Sequence, residues 1–211
     1  MPSQPVSLLH PAVSRPDDAA GRSEDERGSV ITDLAWATLG TPVGRLSVGC
    51  GPAGVRQVRF GTPPRPASLA ATAPAAAREL SEAALTQLTE YFAGQRRSFE
   101  VPIDWSGISQ LQQQVLAMLF DTVGHGETVS YGELARRVPS VRRIADVPAR
   151  VIGQVMGSNP IPVIVPCHRV VASGGLGGYS GGQGLEVKRW LLVFEGALPP
   201  TLDWEPAGLP A

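Results

Sequence analysis

The apolar positions change period along the chain, and those changes divide it. Residues 1–28 are polar, carrying Arg15, Asp17, Asp18, Arg22, Glu24, Asp25, Glu26 and Arg27 with no apolar repeat, the pattern of a mobile tail. From residue 29 the pattern turns strand-like. Residues 30–37, 45–50 and 55–60 form three short runs joined by Gly40-Thr-Pro-Val-Gly44 and Gly51-Pro-Ala-Gly54, which predicts a small antiparallel meander. A Pro/Ala-rich loop follows over 61–77. Leu80, Ala84, Leu88 and Tyr91 then share one helical face, with Gly94 as the stop. The first block thus predicts a sheet covered by a helix, with Cys50 at a strand end as a small buried hydrophobe.

Past residue 103 the period becomes helical. Ser109-Gln-Leu-Gln112 fits a capping box and leads into a face of Leu111, Val115, Met118 and Leu119. Ser130-Tyr-Gly-Glu133 is a second box, opening a short helix to about Val138, where Pro139 breaks it. After a turn, Asp146 can cap a helix with Pro148 in its first turn, running to about Met156 and stopped by Gly157. Two short helices joined by a turn make a helix-turn-helix candidate. A last helix over 185–195 aligns Val187, Trp190, Leu191 and Phe194, with Gly196 beyond. Between these helices, the run 163–165 predicts a short strand bracketed by prolines and ending at Pro166-Cys167.

Composition and charge narrow the function. With 211 residues, 43% of them hydrophobic, the chain can bury a substantial core, and no apolar run reaches membrane-spanning length. The 24 glycines and 20 prolines predict many turns. A net charge of −1 excludes a protein basic all over. Yet Arg136, Arg137, Arg142, Arg143 and Arg150 crowd around the helix-turn-helix against only Glu133 and Asp146, and local charge is what a nucleic acid feels. Cys50 and Cys167 are too few for a disulfide scaffold, and the N-terminus lacks a secretory pattern, so a reducing, cytoplasmic setting is expected. His10, His125 and His168 have no metal-ligand spacing, so no metal is expected. The loop Ser173-Gly-Gly-Leu-Gly-Gly-Tyr-Ser-Gly-Gly182 lacks both the Walker lysine and a dinucleotide fingerprint, and no cofactor is expected either. Such a loop suits close backbone approach to a flat ligand.

The candidate chemistry lies in Asn159-Pro-Ile-Pro-Val-Ile-Val-Pro-Cys-His-Arg-Val170. His168 and Arg169, next to Cys167, are placed to raise its thiolate fraction. Adjacent side chains on an extended chain point to opposite faces, so a direct Cys167–His168 bond would need a bend, or a water between them. The plain alternative is a buried, inert cysteine. Glu195 closes the last helix, where the dipole disfavours a carboxylate, and so is either a solvated end or a residue kept for a partner.

These motifs resemble the O6-alkylguanine-DNA alkyltransferases, also called methylated-DNA–protein-cysteine methyltransferases. Pro166-Cys167-His168-Arg169-Val170 looks like the family signature. Asn159-Pro-Ile-Pro, Gly126-Glu-Thr-Val-Ser-Tyr-Gly-Glu-Leu-Ala135, Tyr179-Ser-Gly-Gly182 and Lys188-Arg-Trp-Leu-Leu192 stand in family order. Gly40-Thr-Pro-Val-Gly44 and Leu88-Thr-Glu-Tyr-Phe-Ala-Gly94 look like the family's N-terminal domain. The resemblance implies an α+β fold: a ribonuclease H-like N-terminal sheet with a covering helix over 29–103, then a mainly helical, winged-helix-like domain over 104–198. A C-terminal tail over 199–211 completes this organisation.

The implied activity is DNA repair by single-turnover alkyl transfer to Cys167 from O6-alkylguanine, with O4-alkylthymine a further candidate donor. The implied partner is double-stranded DNA, met by a monomer. In that reading His168 accepts the thiol proton through a water, Glu195 orients His168, and Asn159 braces the turn. Tyr131 donates toward the base or contacts the DNA backbone. Met156, Val170, Tyr179, Ser180 and Lys188 line the pocket, and Arg150 fills the gap left by the flipped base. The chain is several residues longer than the family pattern within 138–147, which brings Arg142 and Arg143 forward as further DNA contacts. Two other readings are a non-catalytic binder of alkylated DNA, or transcription regulator, and a cysteine hydrolase, which the Cys-His adjacency fits poorly.

Overall fold

The computed structural model describes residues 34–64, 73–144 and 148–200. The expected N-terminal tail, the start of the first expected strand, the Asp146 cap and most of the C-terminal tail lie outside these residues. Strands β1 (Ala35–Thr41), β2 (Gly44–Gly51) and β3 (Gly54–Phe60) form an antiparallel meander in the order β1-β2-β3. The sequence placed the first strand at 30–37, but the ladder runs on to a Thr41–Gly44 pair. Gly44 adopts φ +96°, so the chain reverses over Pro42 and Val43 and leaves Gly40 and Thr41 in the sheet.

Helix α1 (Ala75–Phe92) covers this sheet, burying Ala77, Ser81, Ala84, Leu88 and Tyr91. The outer edge of β3 is satisfied elsewhere. Val55 N–H donates to the Pro102 carbonyl (2.8 Å), Asp104 N–H donates to the Val55 carbonyl (2.9 Å), and Val58 N–H donates to the Pro160 carbonyl (2.9 Å). A paired edge offers no template for aggregation. The last of these bonds also ties the sheet to the segment that leads into Cys167.

The second half is built on helices. In α2 (Gln110–Thr122), Ser109 accepts from the Gln112 N–H, but the reciprocal bond of the expected capping box is absent. The Gln112 side chain donates to the Ser158 carbonyl instead, at 2.9 Å. After β4 (Val129–Ser130), helix α3 (Tyr131–Arg137) opens with both bonds of its capping box in place. Pro139 ends α3 as expected, yet it also begins a further helix, α4 (Pro139–Ile144), where a turn was expected. Its fixed φ and missing N–H suit a first helical position, so one residue both stops and starts a helix.

Helix α5 (Pro148–Gly157) follows and packs its buried Ile152 into the same core as Leu134 of α3. The two-residue strand β5 (Val170–Val171) runs parallel to β4, pairing Val129 with Val170 and Ser130 with Val171. This short ladder sets the residues after Cys167 against the start of α3. Helix α6 (Leu185–Phe194) ends at Gly196, whose φ is +77°. Among the described residues no helix is long and apolar enough to cross a membrane.

Candidate active site

The segment before Cys167 is a tight turn, not the expected strand. Pro160, Pro162 and Pro166 remove the N–H groups a ladder would need. The Val165 N–H bonds back to the Ile161 carbonyl (2.9 Å), and Val163 is held at φ +74°. That conformation costs a β-branched residue about 1–3 kcal/mol and persists only where surroundings enforce it. Asn159 enforces it here. Its Nδ2 donates to the Val165 carbonyl (2.9 Å) and its Oδ1 accepts from the Ile161 N–H (3.0 Å).

Cys167 therefore opens a 3-10 turn, Cys167–Arg169, rather than closing a strand. It is 5% exposed. Burial pushes its thiol above the ordinary range, while a hydrogen bond with Asn159 and the Lys188 ammonium pull the other way. The neighbour expected to favour the thiolate, Arg169, is committed elsewhere. Its Nε and Nη2 donate to the Glu195 carboxylate (2.9 and 2.8 Å), and its Nη1 donates to the Val123 carbonyl (2.7 Å). Lys188, from α6, takes the electrostatic role.

Glu195 is neither a solvated end nor held open for another molecule. It is buried at the end of α6 and collects donors from three side chains. Besides Arg169, its Oε1 accepts from the Tyr91 hydroxyl (2.7 Å) and meets His168 Nε2 at 3.0 Å. Burial alone would raise this carboxyl, but the bonds from His168 and Arg169 outweigh it and hold Glu195 well below the usual carboxylate range. Burial pushes His168 below its ordinary value despite the pull of Glu195, so the imidazole is neutral near pH 7. A carboxylate can only accept, which puts the single imidazole proton on Nε2 and leaves a bare lone pair on Nδ1. That Nδ1 is buried with no hydrogen-bond partner.

The glycine-rich loop and the start of α3 also adjoin Cys167, which acts electrostatically on Tyr131 and Tyr179. The Tyr131 hydroxyl donates to the Gly178 carbonyl (3.4 Å), and its ring lies 5.9 Å below Lys188 Nζ. Lys188 is fully buried, donating to the carbonyls of Val170 (2.7 Å) and Gly178 (3.0 Å). Burial draws its ammonium down to about 8. Ser180 Oγ donates to the Gly157 carbonyl at the end of α5 (3.1 Å). Only glycine fits at 177, where φ is +70° and a Cβ would stand 2.8 Å from the Tyr131 ring. Met156 and Val170 are buried apolar residues of the same core as Cys167. The Tyr179 hydroxyl is buried without a partner.

Arg142, Arg143 and Arg150 are exposed, the first two in the last turn of α4 and the third in the first turn of α5. Sequence reasoning missed two members of the buried cluster. Tyr91 was assigned to the core face of its helix, and Arg169 to the thiol. A buried phenol and a buried guanidinium each demand an acceptor, and that demand was the available signal.

Residues 34–105 match the family model described as 6-O-methylguanine DNA methyltransferase, ribonuclease-like domain. Residues 110–197 match the DNA binding domain of the same family. A methylated-DNA–protein-cysteine methyltransferase of Mycobacterium tuberculosis is 45% identical over 119 residues, 56% of this chain and 67% of the relative. A DNA base-flipping protein of Thermus thermophilus is 36% identical over 162 residues, 76% of this chain and 99% of the relative. The crystal structure of the M. tuberculosis OGT protein in complex with DNA superposes with a TM-score of 0.61 at 34% identity, covering 77% of this chain and 92% of that one.

Proposed function

Because the chain belongs to the 6-O-methylguanine DNA methyltransferase family, we propose that Cys167 is the residue that takes the alkyl group from O6 of an alkylated guanine in double-stranded DNA. The protein repairs DNA by alkyl transfer. In the proposed step the Cys167 sulfur attacks the alkyl carbon, an S–C bond forms, and the C–O6 bond breaks with its electron pair passing to the guanine. The thiol proton goes to His168 Nδ1, across a water, and returns to the departing guanine. The product is a thioether, a poor leaving group, so each chain acts once.

The observation that carries this reading is the orphaned Nδ1 of His168, beside Cys167 in the chain. A neutral imidazole whose other nitrogen is fixed on Glu195 is a proton acceptor without a proton. Asn159 braces the turn, Lys188 favours the thiolate, and the partnerless Tyr179 hydroxyl offers a donor to the base, where negative charge develops, with Tyr131 and Ser180 lining the pocket beside it. Met156 and Val170 supply apolar walls. A guanine O6 inside a duplex lies out of reach of a thiol this deeply buried, so the base must leave the stack, at a cost of a few kcal/mol. Arg150 fills the vacated space, while Arg142 and Arg143 meet phosphates. A monomer in a cytoplasmic setting, where a free thiol stays reduced, completes the reading.

The relative named as a DNA base-flipping protein supports a second reading, binding without chemistry. The Cys167–His168–Glu195 arrangement favours transfer over it. Cys167→Ala separates the two: loss of transfer from O6-methylguanine duplex with DNA binding retained supports the proposal. Binding by the native protein with no transfer supports the other.

A further inference from the structure

We propose that Tyr91, on the helix that covers the N-terminal sheet, is a positioning residue for the proposed proton acceptor: its hydroxyl holds the carboxylate that holds His168. The inference rests on the reading of His168 given above. It assigns to the N-terminal half of the chain an indirect part, through Glu195, in the chemistry of the other half.

The geometry is specific. Tyr91 is fully buried, boxed by the rings of Phe92, Phe99, His125 and Phe194. A phenol so placed needs one acceptor, and a backbone carbonyl would serve the fold as well. Instead it donates to Glu195 Oε1, 104 positions away, the same oxygen that meets His168 Nε2. That oxygen also takes Arg169 Nη2, while Arg169 Nε takes Oε2. The arginine fork fixes the carboxylate plane, and Tyr91 and His168 approach the remaining directions around Oε1.

Two consequences follow for His168. Tyr91 sets where Oε1 can sit, and with it the orientation of the ring whose Nδ1 is left without a partner. Each donor on Oε1 also drains negative charge from it and weakens its pull on the imidazole proton. Removing the phenol leaves more of that charge for His168 and raises its proton affinity. The other charged and titratable groups acting on His168 are Glu195, Arg169 and Lys188, with Cys167 adjoining it in the chain. Those acting on Tyr91 and Glu195 are His125, Arg169, His168 and Tyr179. All of them remain in a Tyr91→Phe variant. The phenol itself stays protonated, since burial and the adjacent carboxylate push it well above its ordinary value.

The test is Tyr91→Phe in the full chain, with His168 followed by NMR of its imidazole across pH and alkyl transfer measured in single turnover over the same range. The expected result is an upward move of the His168 midpoint by about half a pH unit, a ~3-fold gain in proton affinity, with the acid limb of the transfer rate moving equally. Phe99→Leu, which thins the packing around the same ring, should lower stability and leave the midpoint in place. Should Tyr91→Phe fail to fold, 3-fluorotyrosine at position 91 supplies a stronger donor and should move the midpoint down. A folded variant with an unmoved midpoint overturns the proposal, as does Phe99→Leu moving it equally. If the native protein transfers no alkyl group, the acceptor reading fails, and the NMR titration still judges the link from Tyr91 to His168.

Discussion

Replacing Glu195 with Gln removes one charge and almost nothing of the shape. In the native site both carboxylate oxygens accept, Oε1 from Tyr91, His168 and Arg169, and Oε2 from Arg169. A carboxamide has one acceptor oxygen, and its NH2 must turn toward a donor. Arg169, 6% exposed, then keeps its charge with no counter-charge beside it. Breaking a buried pair from one side costs about 3–5 kcal/mol, with the lower figure apt because the carboxamide oxygen still accepts. At ~2–4 °C per kcal/mol for a domain of this size, Tm should fall by about 6–12 °C.

The pH dependence has a definite sign. Folding depresses Glu195 from its ordinary 4.5, so its stabilising contribution is complete above that pH and fades as acid is added below it. His168, depressed from 6.5 chiefly by burial, costs stability from about that pH downward, because the unfolded chain takes the proton first. Glu195→Gln should lose the lower acid stage. The NH2 facing His168 would also favour the tautomer with its proton on Nδ1, removing the acceptor. Transfer should then slow by about 10²–10⁴ with DNA affinity kept, the usual worth of a general base. Calorimetry across pH and single-turnover transfer check both halves. A variant that melts within about 2 °C of the native protein, or transfers at the native rate, refutes the reasoning.

Replacing Arg142 and Arg143 together with alanine should flatten the log–log salt dependence of DNA binding by about 2, near 0.9 per phosphate contact, and an unchanged slope would remove them from the interface. Cys50 is fully buried and pushed up to about 12 by that burial, so Cys50→Ala should leave alkyl transfer at the native rate, measured on the same duplex. Gly54→Ala should destabilise by about 2 kcal/mol or more in denaturant unfolding, because a Cβ there would stand 2.3 Å from the Pro102 carbonyl at φ +145°.

What could be read from the residues alone was local. The meander, the helix over it and the box Ser130–Glu133 each rest on neighbours a few positions apart, and all three stand in the structure. Pro139 misled because the chemistry that stops one helix also suits the first turn of the next. The run 163–165 misled because its valines and isoleucine favour a strand, while the flanking prolines deny the hydrogen bonds a strand needs. The buried cluster lay furthest from view. Glu195 was paired with His168 only through family resemblance, and nothing in the spacing of Tyr91 or Arg169 announced that both end on the same carboxylate. Contacts across 104 positions are set by how the layers pack, not by any local period.

The central claim is that Cys167 receives the alkyl group. Incubating the full chain with duplex DNA carrying one O6-methylguanine, then measuring intact mass and a tryptic map, tests it most directly. The account predicts the mass of one added CH2, never more than one per chain, on the peptide that contains Cys167. DNA bound with no mass gained, or a gain on the peptide containing Cys50, would contradict it.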